Sequence, residues 1–232
     1  MTDATPLRQA ATPLDPAAVE TWIFDLDNTL YPARSNLFAQ VSVRMTQYIQ
    51  DRLGLEPDAA RDLQRALFRR HGTTLRGLMT EHAVDPAAFL AFVHDIDVTA
   101  VDPAPRLDAL LAALPGRKIV FTNGSVRHAE RVMERLGVGR HFDTIFDIVA
   151  AGYVPKPDPR PYARLVALAG FAPTTAVMIE DMAKNLAPAA ALGMRTVWLR
   201  SEHEWAQVGA DAGHVHHVAD DLVGFLETLE PR

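Results

Sequence analysis

The sequence predicts an α/β protein, a Rossmann-like parallel sheet core with helices on both faces and a helical block inserted after the first strand. Three observations predict it. A short β-rich run, Thr21-Trp22-Ile23-Phe24, ends in the acidic turn Asp25-Leu26-Asp27. The stretch from 34 to 100 shows only the apolar spacing of helices. From about residue 105 onward, helical patterns and short apolar runs alternate with brief connections, which is the arrangement that builds a parallel sheet.

The elements follow in order. Residues 1–18, rich in Ala, Thr and Pro, read as a flexible leader without the apolar core of a secretory signal. The first strand covers 22–25 and opens onto a loop. After Pro32, Leu37, Val41, Met45, Ile49 and Leu53 mark a helix over 36–53. Leu63, Ala66 and Leu67 mark another over 57–70, and two more follow at 75–83 and 86–96. Asp102-Pro103-Ala104-Pro105 then punctuates the chain. Further helices are expected at 105–114, 126–136, 159–170, 183–192 and 219–229. Strands are expected at 118–121, 145–149, 176–180, 195–199 and 215–218. The core domain is thus 19–33 with 101–232, and the insertion is 34–100. No internal repeat or low-complexity tract interrupts this.

Composition bounds the chemistry. The 232 residues are 48% hydrophobic, enough for a sizeable core, and carry a net charge of −6. That balance argues against a nucleic-acid polymer or an anionic membrane as partner. No stretch reaches the roughly 18 apolar residues of a membrane span, so the expected location is cytoplasmic. There is no cysteine, hence no disulfide, thiolate metal site or thiol nucleophile. Among the 23 Lys and Arg residues, only 118, 156 and 184 are lysine.

Ligands of open parallel sheets bind at the carboxyl ends of the strands. Here those ends carry Asp25-Leu26-Asp27-Asn28-Thr29, Thr122-Asn123-Gly124-Ser125 and Glu180-Asp181, and a loop brings Lys156-Pro157. Taken singly, each has a plain alternative. Asp25-x-Asp27 suits a turn better than an EF-hand loop, because Leu30 and Asn36 stand where Gly and Glu are needed. Ser125 suits a helix cap, Lys156-Pro157 a surface loop, and Glu180-Asp181 another cap. Together they make a different object. Four gathered carboxylates repel one another unless cations join them. Oxygen ligands suit Mg²⁺, and Lys156 adds one compact positive charge. Hydroxyl, amide and N–H groups could then hold a tetrahedral oxyanion, as phosphoryl transfer requires.

The four motifs, in this order and with Asn185 after the last, resemble the haloacid dehalogenase superfamily over roughly residues 20–225. The resemblance implies the following roles. Asp25 is the nucleophile that forms an aspartyl-phosphate. Asp27 is the general acid and then the base. Leu26, Asp27, Thr122, Asn123, Gly124 and Lys156 hold the phosphoryl group with Asp25. Mg²⁺ is bound by Asp25, the Asp27 main-chain carbonyl and Asp181. Glu180 stands behind the metal through water, and Asn185 orients Lys156 or the metal's surroundings. The family's dehalogenases lack an acid where Asp27 stands, so Asp27 points to phosphate-ester hydrolysis, with a phosphomutase sharing the same motifs.

The insertion then corresponds to the family's helical cap, which closes over small substrates and excludes water. Leu30-Tyr31-Pro32, His128-Ala129-x-Arg131-Val132 and the segment 71–78 are similar to the pyrimidine 5′-nucleotidase branch. This implies a small phosphomonoester substrate resembling UMP or CMP, read by His71, Thr73, Thr74 and Arg76. The rivals are a sugar-phosphate or phosphoglycolate phosphatase, a mutase, and a non-catalytic binder of a phosphorylated ligand. A monomer or homodimer is expected. Glu180-Asp181-Met182 departs from the branch's common Asp-Asp-Ser. His214, His216 and His217 read as a solvated turn. Arg127, Arg131 and Arg135 read as a solvated helix face, and Trp22, Trp198 and Trp205 as packing residues. Lys184 falls near the site, and Lys118 reads as incidental.

Overall fold

A computed structural model describes residues 14–230. Of the leader, residues 1–13 lie outside the described residues. The remainder forms a 3₁₀ turn, Pro16–Ala18, capped by the Asp15 carboxylate.

Among the described residues, six parallel strands form one sheet in the order β3-β2-β1-β4-β5-β6. They are β1 (Thr21–Phe24), β2 (Arg117–Phe121), β3 (Thr144–Phe146), β4 (Ala176–Glu180), β5 (Arg195–Leu199) and β6 (His217–Ala219). The alternation of side chains along each strand divides the core in two. Trp22, Phe24, Val120, Val177 and Ile179 face one side, where α5 (Pro105–Ala113), α6 (Val126–Leu136) and α10 (Leu222–Glu227) pack. Ile23, Ile119, Phe121 and Met178 face the other, against α7 (Pro159–Ala169) and the segment carrying Leu186 and Ala189. All of β1 and β4 is buried, as both faces of a covered sheet require.

Between β1 and β2 come α1 (Leu37–Leu53), α2 (Pro57–His71), α3 (Thr74–His82) and α4 (Pro86–Val93). Their apolar stripes continue the core through Leu37, Ile49, Leu67, Leu78 and Phe89. Gly77 sits where α3 crosses α2. A Cβ there would lie 2.7 Å from Leu67 Cβ, so only glycine permits this approach.

Several expected boundaries move. The helix over 183–192 is a 3₁₀ turn, Ala183–Leu186, followed by the short α8 (Ala187–Ala191), with Pro188 inside its first turn. The last helix begins at Leu222 rather than 219, because Asp221 caps it by accepting from Gly224 N at 2.8 Å. That frees His217–Ala219 to pair with β5, three residues that replace the expected 215–218. The third strand ends at Phe146, before Asp147 takes the amides of Val126 and Ala150. A further turn of helix, α9 (Glu204–Gln207), carries no periodic signal of its own.

Three readings of single residues are corrected. Arg131 and Arg135 do not form a solvated face. Arg131 donates to His94 O (2.8 Å) and Ile96 O (2.7 Å), and Arg135 to Val101 O (2.7 Å). Carbonyls beyond the end of α4 need such donors. Arg127 alone is exposed. The histidines before β6 are partly buried. His214 Nε2 meets Ala183 O at 3.0 Å, and His216 Nδ1 accepts from Thr196 N at 3.1 Å. Trp205 is 37% exposed, set edge-on to Phe68 and stacked on His203.

Candidate active site

Three adjacent strands, β2, β1 and β4, deliver the strand-end motifs to one edge of the sheet. Asp25 follows β1, Thr122 follows β2, and Glu180 ends β4 with Asp181 beside it. Lys156 comes from the loop before α7. Its Nζ lies 2.6 Å from Asp25 Oδ1, 3.0 Å from Glu180 Oε1 and 2.8 Å from Phe121 O. The ammonium therefore donates three bonds and is 2% exposed. Its main-chain N–H donates to Asn123 Oδ1 at 2.9 Å, which ties the Lys156 loop to the end of β2.

The carboxylates of Asp25, Glu180 and Asp181 are all buried and bring oxygens within 4.8 Å of one another. Burial, then the nearby Glu180 charge, pushes Asp25 up to about 7 despite Lys156. Burial and the charges of Glu180 and Asp25 likewise raise Asp181 well above the usual carboxylate range. For Glu180, burial acts against ionisation but is outweighed by Lys156, the Met182 amide and Asn185, so its carboxyl is held low. Asn185 thus acts on Glu180 rather than on Lys156 directly, through Nδ2 to Oε1. Its buried Oδ1 has no partner among the described residues. Trp198 fixes the Asp181 main chain by donating from Nε1 to Asp181 O at 2.7 Å.

These features fit a divalent cation. Three buried carboxylates against one ammonium leave uncompensated negative charge, and the donors are all hard oxygens. Asn185, whose Nδ2 donates to Glu180 Oε1, carries a buried amide oxygen with no partner among the described residues.

Asp27 is turned elsewhere. Its Oδ1 accepts from Tyr31 OH at 2.6 Å and meets His128 Nε2 at 2.8 Å. Burial raises this carboxyl, but the His128 and Tyr31 contacts prevail and hold it at about 2. Its side chain stands outside the group formed by Asp25, Glu180 and Asp181, and its Oδ2 has no partner among the described residues. Asp25 Oδ2 accepts from Thr29 Oγ1 at 3.0 Å. The amides of Leu26 and Asp27 have no acceptor among the described residues, which suits an oxyanion. One expected phosphate ligand is used otherwise, and the main-chain N–H of Asn123 has no acceptor among the described residues. The Gly124 amide donates to Thr122 Oγ1 at 2.9 Å, whereas Asn123 uses only its side-chain Oδ1, which accepts from the Lys156 main-chain N–H at 2.9 Å. The Thr122 hydroxyl proton stays free to donate.

The insertion residues divide in a similar way. A Cβ at Gly72 would lie 3.7 Å from Pro155 Cγ and 3.9 Å from Lys156 O, so the segment 71–76 abuts the Lys156 loop. His71 is bound within the insertion, Nε2 to Glu81 Oε1 at 2.6 Å. Thr73 caps α3, accepting from Arg76 N at 3.1 Å. Thr74 is buried. The Arg76 guanidinium has no ion pair among the described residues. Lys184 lies over the Phe68 ring at 5.0 Å and outside the carboxylate cluster. Lys118 ties the turn before β2, donating to Leu114 O and Gly116 O.

Thr29, Tyr31, His128 and His94 touch this site and carry no catalytic signal in the sequence. Thr29, Tyr31 and His128 are visible there only as parts of motifs. His94 has no signal, because α4 is apolar throughout.

A parallel sheet with a buried aspartate, lysine and acidic pair at its carboxyl edge, beside a helical insertion, defines an α/β protein whose charged site lies at the sheet edge. The family model for haloacid dehalogenase-like hydrolases matches residues 19–193, and this chain belongs to that family. Phosphate metabolism protein 8 of Saccharomyces cerevisiae is 27% identical over 225 residues, covering 89% of this chain. The chain spans 64% of that relative's length, under two thirds. Among solved structures, a HAD phosphatase from Thermococcus onnurineus aligns with TM-score 0.62 at 15% identity, over 91% of this chain and 98% of that one. The L-2-haloacid dehalogenase of Xanthobacter autotrophicus aligns with TM-score 0.56 at 16% identity, over 91% and 98%. At these identities the likeness is one of fold.

Proposed function

We propose that the protein is a Mg²⁺-dependent phosphatase of small phosphomonoesters, acting through an aspartyl-phosphate on Asp25. The observation that carries this reading is the Asp25–Lys156–Glu180 contact set at the carboxyl edge, with Asp27 two residues on. Asp25, Asp181 and the Asp27 carbonyl would hold the cation. It would neutralise charge on the phosphoryl oxygens.

The chain's own groups do the rest. Lys156 holds Asp25 and offsets its charge. An Asp25 oxygen attacks phosphorus, and the bond to the ester oxygen breaks. Asp27 gives that oxygen a proton, releasing the alcohol. Although Asp27 rests ionised, an arriving phosphoryl dianion opposes its charge and favours the protonated form. Water then attacks the aspartyl-phosphate, Asp27 takes its proton, and phosphate leaves with Asp25 restored. The Thr122 hydroxyl and the Leu26 and Asp27 amides bind the phosphoryl oxygens. The presence of Asp27 favours this over dehalogenation, in which halide needs no acid.

The substrate is a pyrimidine nucleoside monophosphate, and the insertion serves as a cap over it. Support comes from Gly72 against the Lys156 loop and from the unpaired Arg76 on the same segment. The site would act on a soluble small molecule, in a cytoplasmic monomer or homodimer. Phosphate release from UMP, CMP, dUMP, sugar phosphates and phosphoglycolate, with Mg²⁺ and with EDTA, tests both levels. Release from none of them overturns the phosphatase reading. Preference for a non-nucleotide ester overturns the substrate.

A further inference from the structure

Both side-chain partners of Asp27, Tyr31 and His128, meet the same oxygen, Oδ1. His128, fully buried on the first turn of α6, meets Asp27 Oδ1 through Nε2 at 2.8 Å. Its Nδ1 is buried without a partner among the described residues, so Nε2 makes the ring's one hydrogen bond, to Asp27. The ring lies flat on that of His94, with centroids 4.4 Å apart and planes 10° from parallel. His94 ends α4 in the insertion, and its Nδ1 meets Ser125 Oγ at 2.9 Å, on the cap residue of α6. Burial, aided by the neighbouring His128 ring, pushes His94 down to about 3, so it stacks as a neutral ring. Gly124 lies against both rings, closely against His128. A Cβ there would lie 3.3 Å from His128 Cδ2 and 3.7 Å from His94 Cε1. Arg131 adds a second tie from α6 to the end of α4 through His94 O.

We infer that His128 is a positioning residue for Asp27, and that His94 keys it to the seated insertion through the ring stack. The inference rests on the proposed acid–base role of Asp27. His128 has no route to substrate, since its one bonded nitrogen is spent on Asp27. A carboxyl that must deliver a proton to one ester oxygen needs fixed orientation, and a misplacement of about 1 Å can cost on the order of 10²-fold in rate. With the insertion displaced, His128 loses its ring partner and holds Asp27 less firmly, with Tyr31 still bonded to Oδ1, which ties the precision of proton delivery to closure.

Two esters read this out. An alkyl phosphate needs its leaving oxygen protonated, whereas p-nitrophenyl phosphate departs with little help. For H128F, which keeps a ring against His94 and removes the bond to Asp27, kcat on the alkyl ester should fall roughly 10²-fold. The aryl ester should lose far less, and KM should stay similar on both. H128Q, whose amide nitrogen can occupy the place of Nε2, should recover much of the alkyl-ester rate. H94A should show the same selective loss in smaller measure, and H94F should recover it. Equal losses on both esters in H128F, or no recovery in H128Q, would mean that His128 serves packing alone and would overturn the inference. D27N run alongside separates the levels. Selective loss there with equal losses in H128F removes only the positioning role. Equal losses in D27N remove the acid role of Asp27 as well.

Discussion

Lys156 reaches across 131 residues of sequence to place Nζ 2.6 Å from Asp25 Oδ1, inside a site where both side chains are buried. The same nitrogen lies 3.0 Å from Glu180, so one ammonium is shared between the end of β1 and the end of β4. Removing it would leave Asp25, Glu180 and Asp181 facing one another in a low-dielectric site. K156A should therefore lower stability by roughly 3–5 kcal/mol, the usual cost of orphaning a buried charge. Chemical denaturation measures this, and Mg²⁺ should restore part of the loss. K156R should also lose activity, because a planar fork cannot reproduce three bonds converging on one nitrogen. A K156A protein as stable as wild type in EDTA would contradict the coupling.

Asp25→Asn should abolish turnover, by on the order of 10⁴-fold or more, with the fold intact. The amide removes one of three crowded carboxylates, so metal-free stability should hold or rise. Phosphate release and thermal melting on the same preparation check both statements. Turnover retained in D25N would remove Asp25 as nucleophile.

The acidic cluster also sets a pH dependence. Asp25 is raised in the folded protein from 3.8 to about 7, so the fold favours its protonated form. Its stabilising contribution is full below 3.8 and is lost as pH rises through about 7. Asp181, raised as well, acts in the same direction. In EDTA, melting temperature should therefore decline across this window, after allowance for a D25N control. Mg²⁺ should stabilise more at about pH 8 than at about pH 5, because binding displaces protons. A Mg²⁺ effect independent of pH would count against metal binding by these carboxylates.

Gly77 tests the crossing that supports Arg76. Alanine there would press on Leu67 Cβ and Cδ2, at 2.7 and 2.8 Å, and on His71 Cδ2 at 3.1 Å. G77A should cost roughly 1–3 kcal/mol through overpacking and shift α3 against α2. Denaturant midpoints measure the first. KM for the best substrate should rise as well, since α3 carries Arg76.

Arg76→Ala should lower kcat/KM for a nucleotide by roughly tenfold or more, the worth of one hydrogen bond from a charged group. Hydrolysis of p-nitrophenyl phosphate, which offers no base to read, should change less. Equal losses on the two substrates, or none, would remove Arg76 from substrate recognition.

Much of this protein is decided locally and was legible in the chain. Alternating apolar runs with short connections settle a parallel α/β sheet, and the order of motifs at strand ends settles which residues gather. Asp25, Glu180, Asp181 and Lys156 could be named because charges of those types, each at a strand end or a nearby loop, converge in any sheet of this connectivity. Individual partners could not be read. Side-chain direction beyond the strand end depends on turns such as Asn28, whose φ of 62° is not coded by periodicity. So Asp27 turns away to Tyr31 and His128, Gly124 spends its amide on Thr122, and His71 closes on Glu81. Arg131 and Arg135 look like a solvated stripe by spacing alone, and only packing brings the bare carbonyls after α4 within their reach. His94 lies furthest from anything the sequence discloses. Its ring meets His128 because the insertion folds back over α6, a contact between residues 34 apart that no local pattern encodes.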